Sequence, residues 1–146
     1  MTTDYDSLID EILAMHTIAV VGLSKDRSKP SNDVASYLQN HGYRIVPINP
    51  TVEEVLGEKA YASLLSLPDS LKHEIDIVDI FRRTEDVPPI VTEAIKLHAS
   101  LGRPKAVWMQ LGIVDETSAR QARDAGLLVV MNRCLKIEHG RRRPQS

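Results

Sequence analysis

The stretch IAVVGLSKDRSKPSNDVASYL, residues 18–38, joins a short apolar run, a polar and basic loop, and a segment with helical spacing. The apolar run stops at Gly22, and the helical segment ends before Gly42, a residue type that commonly follows a helix. A strand, a loop and a helix in this order are typical of phosphate-binding α/β domains. The loop has one glycine where a dinucleotide fingerprint has three, so it does not predict an ordinary dinucleotide site.

Further apolar runs along the chain predict a parallel β-sheet. They are rich in Val and Ile, and several are nearly continuous rather than alternating, as in strands buried on both faces. The five predicted strands are Thr17–Gly22, Tyr43–Ile48, Ile75–Ile80, Lys105–Leu111 and Leu127–Met131.

Segments with helical spacing lie before and between these strands. The predicted helices are Tyr5–Met15, Val34–His41, a weaker piece at Tyr61–Leu67, Val91–His98 with its end at Gly102, and Asp115–Ala125 with its end at Gly126. Asp115 is a suitable N-cap, Pro30 suits a first helical turn, and Ser31 or Asn32 is expected to cap the second helix. Alternating strands and helices predict a three-layer α/β sandwich.

Composition narrows the class of protein. The chain has 146 residues, 42% hydrophobic and 26% charged, which fits one soluble domain over 1–140 followed by a disordered basic tail at 141–146. A net charge of −2 does not favour nucleic acid or an anionic membrane as a partner. One cysteine and no secretory signal predict the cytoplasm.

The loop after the first strand is the first candidate binding segment. Gly22 permits a tight turn, Ser24 supplies a hydroxyl, and Arg27 and Lys29 supply positive charge before a helix N-terminus that favours phosphate. The alternative is a plain strand–helix turn with solvated basic residues. The candidate contacts here are Gly22, Leu23, Ser24, Arg27, Lys29, Pro30 and Ser31.

The end of the second strand bears on the choice of ligand. A site for NAD places a carboxylate there to bind the free ribose diol, but this strand ends in Asn49 and Pro50. A neutral amide suits a phosphorylated ribose, as in NADP or coenzyme A (CoA), because a carboxylate would repel the phosphate. The alternative is that Asn49-Pro50 is simply a turn.

The later strand ends also carry polar or aromatic groups. Because the carboxyl ends of parallel strands meet at one edge of the sheet, these residues are expected to converge on a ligand. They are Phe81 and Arg82, Gln110 and Gly112, and Asn132 and Cys134.

Taken together, the motifs resemble a known family, the small stand-alone CoA-binding proteins, which are related to the CoA-binding N-terminal domain of the succinyl-CoA synthetase α subunit. The resemblance extends from about Leu13 to Glu138. Its motifs are G-x-S with R-x-K-P-S (22–31), G-Y-x-[IV]-x-P-[IV]-N-P (42–50), V-D-[IV]-F-R (78–82), W-[ML]-Q-L-G (108–112) and M-[ND]-R-C (131–134) with I-E at 137–138.

The resemblance implies a Rossmann-like CoA-binding fold with strand order 3-2-1-4-5. It implies that the loop at 22–31 holds phosphates, helped by Arg27 and Lys29. It also implies that Phe81, Arg82 and Gln110 line the path of the nucleotide and pantetheine. The synthetase carries its phosphorylated histidine in a second domain, which has no match here, so synthetase activity is not expected.

The function predicted from the sequence is therefore binding of CoA or a short acyl-CoA by a non-catalytic or carrier module, alone or with a protein partner or a second copy. No catalytic motif stands out, and no metal site is expected. The alternatives are an NADP-binding redox enzyme or regulator, and a structural protein with a vestigial pocket. Cys134 is either a buried apolar residue or a thiol able to form a disulfide with CoA.

Overall fold

The computed structural model describes residues 4–142 and shows an α/β fold around a five-stranded parallel sheet. The strands of this sheet are β1 (Thr17–Val21), β2 (Arg44–Ile48), β5 (Ile77–Ile80), β6 (Ala106–Met109) and β7 (Leu128–Val130). Two short strands, β3 (Glu54–Val55) and β4 (Glu58–Lys59), form a separate antiparallel hairpin. The predicted Rossmann-like sandwich is confirmed.

Helices cover both faces of the sheet. They are α1 (Asp4–Leu13), α2 (Pro30–Asn40), α3 (Asp69–Lys72), α4 (Val87–Leu101), α5 (Glu116–Asp124) and α6 (Leu135–Arg142), with a 3-10 turn at Thr84–Asp86. Buried residues of α1, α2 and α6 pack on one face, and those of α3, α4 and α5 pack on the other. The almost continuous burial along each strand explains why the apolar runs do not alternate.

The order of the strands differs from the predicted 3-2-1-4-5. The sheet runs β2-β1-β5-β6-β7, which is 2-1-3-4-5 when its five strands are counted along the chain. The third large strand, β5, therefore pairs with β1 and not with β2. The predicted order is wrong, although the parallel sheet itself is confirmed.

Pro47 gives the physical reason for this order. Its carbonyl accepts a hydrogen bond from the amide of Tyr61 on the outer side of β2, and its ring nitrogen has no hydrogen to donate on that side. A proline in this position is tolerated at a sheet edge, but it would remove a ladder hydrogen bond from a central strand. Tyr61 makes only an isolated bridge to Ile48 there. The predicted helix at Tyr61–Leu67 is wrong, because this segment contains a bridge residue, bends and turns. The short helix α3 begins after it, at Asp69.

The C-terminal end of α4 and the N-terminal end of α5 agree with the local signals, whereas α4 begins at Val87, four residues before the predicted Val91. Gly102 closes α4 in the left-handed conformation, with φ of 72°. Asp115 caps α5, because its side chain accepts a hydrogen bond from the amide of Ser118. These boundaries depend on short-range interactions, which is why the sequence predicts them well.

The C-terminal prediction needs a correction. Arg141 and Arg142, the first two residues of the predicted disordered tail, lie in α6. Arg142 forms ion pairs with Asp6 and Asp10 of α1 and with Glu138 of its own helix. This contact joins the two ends of the described chain. Residues 143–146 of the predicted tail lie outside the described residues.

Among residues 4–142, no helix is both long enough and apolar enough to cross a membrane.

Candidate functional site

A groove of about 560 Å³ opens at the carboxyl edge of the sheet. The loops after β1, β5 and β6 and the first turns of α2 surround it, together with Cys134, which immediately precedes α6. It is lined by Gly22, Ser24, Lys29, Pro30, Ser31, Val34, Phe81, Arg82, Gln110, Leu111, Ile113 and Cys134. Most of the residues predicted from the strand ends are thus brought together, because parallel strands end at the same edge.

Three apolar lining residues were not predicted: Val34, Leu111 and Ile113. Val34 lies one turn into α2, and helical spacing from Pro30 would have placed it on the same side. Leu111 lies two residues after the end of β6 and is 58% exposed. The sequence alone does not show this exposure, because the fold decides which apolar side chains remain in contact with water.

The loop at 22–31 is held in shape by its own polar groups. The hydroxyl of Ser31 accepts a hydrogen bond from the amide of Ser24, and the side chain of Asn32 donates to the carbonyl of Ser24. Neither residue caps α2 as predicted: the N-cap is Lys29, without a side-chain cap hydrogen bond, and Pro30 takes the first turn. Ser31 and Asn32 are buried and brace the loop across its width.

Gly22 is required by packing between strand ends. Its φ is 87°, and a Cβ added there would lie 2.4 Å from the carbonyl oxygen of Phe81. The amide of Gly22 donates to the carbonyl of Ile48. The chain therefore turns sharply between the ends of β2 and β5, where no side chain fits.

The two basic loop residues point to different places. Lys29 lines the groove, whereas Arg27 lies at a separate hollow of about 420 Å³ beside Gln39 and the hairpin. Both residues are exposed. The sequence does not fix the direction of each side chain along an irregular loop. Only the fold places Lys29 and Arg27 at different surfaces.

Asn49 ties two loops together. Its side-chain amide donates to the carbonyl of Leu23, and its oxygen accepts from the amide and hydroxyl of Thr51. The side chain of Leu23 is fully buried in the core. Asn49 and Leu23 therefore do not line the groove, and Asn49 forms the turn that was the alternative interpretation.

Gly112 and Asn132 form a similar tie between the loops after β6 and β7. The amide of Gly112 donates to the side-chain oxygen of Asn132 at 2.7 Å, and Asn132 has a φ of 59°. Neither residue lines the groove, so both act on its shape from outside.

A smaller hollow of about 350 Å³ adjoins the groove. Arg82 lines both, which makes it the boundary between them. The other walls of the hollow include Pro50, residues 62–64, and Ile90 and Glu93 of α4. Among the described residues, the guanidinium of Arg82 makes no hydrogen bond and no ion pair, so it remains available to an anion.

Cys134 lies at the other side of the groove, immediately before α6. It is a free thiol with 8% of its surface exposed, and its carbonyl accepts a hydrogen bond from the amide of Glu138. Within residues 4–142, no cluster of His, Cys, Asp and Glu is arranged to hold a metal ion.

Beneath the groove lies a carboxyl group that is not among the predicted site residues. Asp79 is completely buried, and its Oδ1 accepts a hydrogen bond from the amide nitrogen of Gln110 at 3.0 Å. Its Oδ2 has no hydrogen-bond partner among the described residues. Burial raises the pKa of Asp79 to about 8, against a smaller lowering by the hydrogen bond from Gln110. An acidic residue inside a buried apolar strand was the available signal.

Comparisons with known proteins identify the family of the chain. Residues 16–140 match the family described as "CoA binding domain". The chain is 38% identical over 122 residues to the uncharacterized protein YneT of Bacillus subtilis (strain 168), and the match covers 84% of each chain. A solved structure of a hypothetical protein from Pyrococcus horikoshii OT3 is 39% identical, with a TM-score of 0.83 over 93% of this chain and 90% of that one.

A larger protein contains a related segment. The chain is 30% identical over 102 residues to acetate–CoA ligase [ADP-forming] II of Archaeoglobus fulgidus, covering 68% of this chain but 14% of the ligase. The ligase therefore matches this chain in one part of its length only. The resemblance predicted from the strand-end motifs is confirmed, and the chain belongs to the CoA binding domain family.

Proposed function

We propose that this protein binds CoA or a short acyl-CoA in the groove and acts as a binding or carrier module without catalysis of its own. The observation that carries the proposal is the contrast between the two sides of the groove. The side formed by the loop after β1 is polar and basic, and the side formed by the loop after β6 and the start of α6 is apolar and ends at a thiol.

The polar side suits the pyrophosphate of CoA. Lys29 supplies a positive charge, and Ser24 and Ser31 stand at the N-terminus of α2, where the helix dipole favours an anion. The bracing hydrogen bonds of Ser31 and Asn32 hold this loop in place before a ligand arrives. A preformed loop reduces the entropy that binding has to offset.

The apolar side suits the pantetheine arm. Val34, Phe81 and Ile113 provide apolar contact, and Gln110 provides one polar group on the floor. Pantetheine matches this mixture of apolar and polar groups, because it is an apolar chain interrupted by amides. Its thiol end would then lie toward Cys134.

The adjoining hollow beyond Arg82 is the place we propose for the nucleotide end of CoA. Arg82 would lie between the two parts of the ligand, where its guanidinium can pair with a phosphate. Pro50 lines this hollow, and Asn49, which precedes it in the turn, carries no charge that would repel a phosphorylated ribose. We expect the protein to work in the cytoplasm, alone, with a partner or as a homodimer.

Native mass spectrometry of gently purified protein tests this proposal. We expect a retained mass that matches CoA or an acyl-CoA, and calorimetry should then show displacement or saturable binding with added CoA. Dephospho-CoA, NADP and NAD serve as matched competitors. Tighter binding of NADP than of CoA, or the absence of binding to every one of these nucleotides, would contradict the proposal.

A further inference from the structure

The buried pair formed by Asp79 and Gln110 has an incomplete hydrogen-bond arrangement. Gln110 is 3% exposed and lines the groove, and its amide nitrogen donates to Asp79 Oδ1. Asp79 Oδ2 is buried without a partner among residues 4–142. A buried carboxyl oxygen in this condition is unusual, because buried polar atoms in proteins are nearly always paired.

The arrangement changes with the proton on Asp79. When the carboxyl is ionised, it only accepts hydrogen bonds, so the Gln110 nitrogen must face it and the Gln110 oxygen is left for the groove. When the carboxyl is protonated, its O–H group needs an acceptor. The Gln110 side chain supplies one if its amide turns over, which brings Oε1 to Asp79 and leaves the nitrogen for the groove.

We propose that Asp79 is a positioning residue for Gln110, and that the proton on Asp79 sets whether the groove floor offers a ligand a hydrogen-bond acceptor or a donor. The geometry that supports this is the burial of the pair, the single hydrogen bond between them and the contact of Gln110 with the groove. The proton exchanges with solvent. The effect on the ligand rests on the proposed CoA function, because the amides of pantetheine would meet Gln110.

The position of the titration supports a role near neutral pH. Loss of hydration in the core raises the pKa of Asp79 to about 8, so both forms are populated at ordinary pH. A carboxyl with its usual pKa of 3.8 would stay ionised and could not act as such a switch.

The pH effect of Asp79 must be distinguished from that of other titratable groups near this face of the sheet. The residues paired with it on the adjacent strands, Val20 and Trp108, do not titrate. The buried residues of α1 and α2 that pack on this face are apolar, apart from Ser31 and Asn32. The titratable side chains buried on α6 or just before it are Glu138 and Cys134, and Glu138 is paired with arginines. Lys29 and Arg82 line the groove itself.

The experiment measures CoA affinity by calorimetry at pH 6 and pH 9, with Cys134→Ser present in every variant so that no thiol of the protein titrates. The variants carry Asp79, Asp79→Asn or Gln110→Leu. Any change of affinity with pH that comes from the ligand or from Lys29, Arg82 or Glu138 is common to the three proteins and cancels in the comparison. We expect the ratio of the two dissociation constants to differ about three- to tenfold between Asp79 and Asp79→Asn, the worth of one hydrogen bond. Gln110→Leu should behave like Asp79→Asn.

The same ratio in the Asp79 and Asp79→Asn proteins would overturn the proposal. So would a Gln110→Leu protein that keeps the full pH effect, since Asp79 would then act without Gln110. Side-chain amide NMR of ligand-free protein provides an independent measurement: the Gln110 NH₂ signals should shift through the titration of Asp79 and stay constant in Asp79→Asn. If no variant binds CoA, the proposed function fails, and Gln110 signals that do not move through the pH range would still overturn the proposed switch.

Discussion

At the residue scale, the site contains positions whose roles are set by a single contact. Gly22 is the clearest, because its φ of 87° and the carbonyl of Phe81 both exclude a side chain. Gly42 has a φ of 95°, but a Cβ there would meet nothing within 4 Å. Comparing substitutions at the two glycines therefore distinguishes the cost of the left-handed backbone from the cost of a steric clash.

We predict that Gly22→Ala lowers the free energy of unfolding more than Gly42→Ala does. Gly42→Ala should cost about 1–2 kcal/mol, the price of a left-handed backbone for a non-glycine residue. Gly22→Ala should cost about 1–3 kcal/mol more, because the backbone of Phe81 must move. Denaturant unfolding of both variants measures this difference, and equal losses would show that the close approach to Phe81 is relieved without cost.

The position of Cys134 relative to the thiol end of CoA can be tested by a direct reaction. Oxidised CoA should add to the protein at one site, when the Cys134 thiolate attacks the disulfide of the reagent and releases one molecule of CoA thiolate. The mass gain should reverse with a reductant, rise in rate with pH and fall when free CoA fills the groove. Cys134→Ser is the control. A native protein that reacts only after denaturation would identify Cys134 as a core residue.

At the scale of elements, the loop between β1 and α2 divides its charges between two surfaces. Lys29 lines the groove, and Arg27 lies at the hollow beside the hairpin. The sequence treats the two as equivalent helpers of a phosphate. The structure makes them a matched pair, since they share the loop, the sign of charge and the degree of exposure.

We predict that Lys29→Ala weakens CoA binding about two- to fivefold at low salt, the range of an exposed ion pair. The loss should shrink as salt is raised, because such a pair is screened. Arg27→Ala should change affinity less. Calorimetry at two salt concentrations measures both variants, and a larger loss for Arg27→Ala would place the phosphates at the hairpin hollow instead.

At the scale of the whole molecule, Asp79 links stability to pH. Its folded-state pKa lies above the usual 3.8, so the folded protein holds a proton that the unfolded chain releases between pH 4 and pH 8. The stability contributed by this proton is fully present below pH 3.8 and is lost as pH rises toward 8. Above that pH both states are ionised, and the dependence on this group ends.

We therefore predict that the free energy of unfolding of the wild type falls with pH between 4 and 8 relative to Asp79→Asn. The relative slope approaches about 1.4 kcal/mol per pH unit at most, the value for one proton. Denaturant unfolding across this range measures it in both proteins. Parallel curves would mean that Asp79 titrates alike in the folded and unfolded states.

The sequence by itself determined the strands, the helix caps at Gly102 and Asp115, and the loop that follows Gly22. These features depend on side-chain periodicity, β-branching and capping, which act over a few residues. It also determined the family, because the motifs stand at successive strand ends. The strand order implied by the resemblance placed β2 inside the sheet, whereas Pro47 in that strand is a signal for the edge position that the structure shows.

Only the tertiary structure decided the rest of the site. The pairing of β1 with β5 and the separation of Lys29 from Arg27 depend on contacts between distant segments. Ser31 braces the loop instead of capping the helix for the same reason. The raised pKa of Asp79 also depends on the tertiary structure, because it results from the apolar layer packed around the carboxyl and is opposed by one hydrogen bond from Gln110.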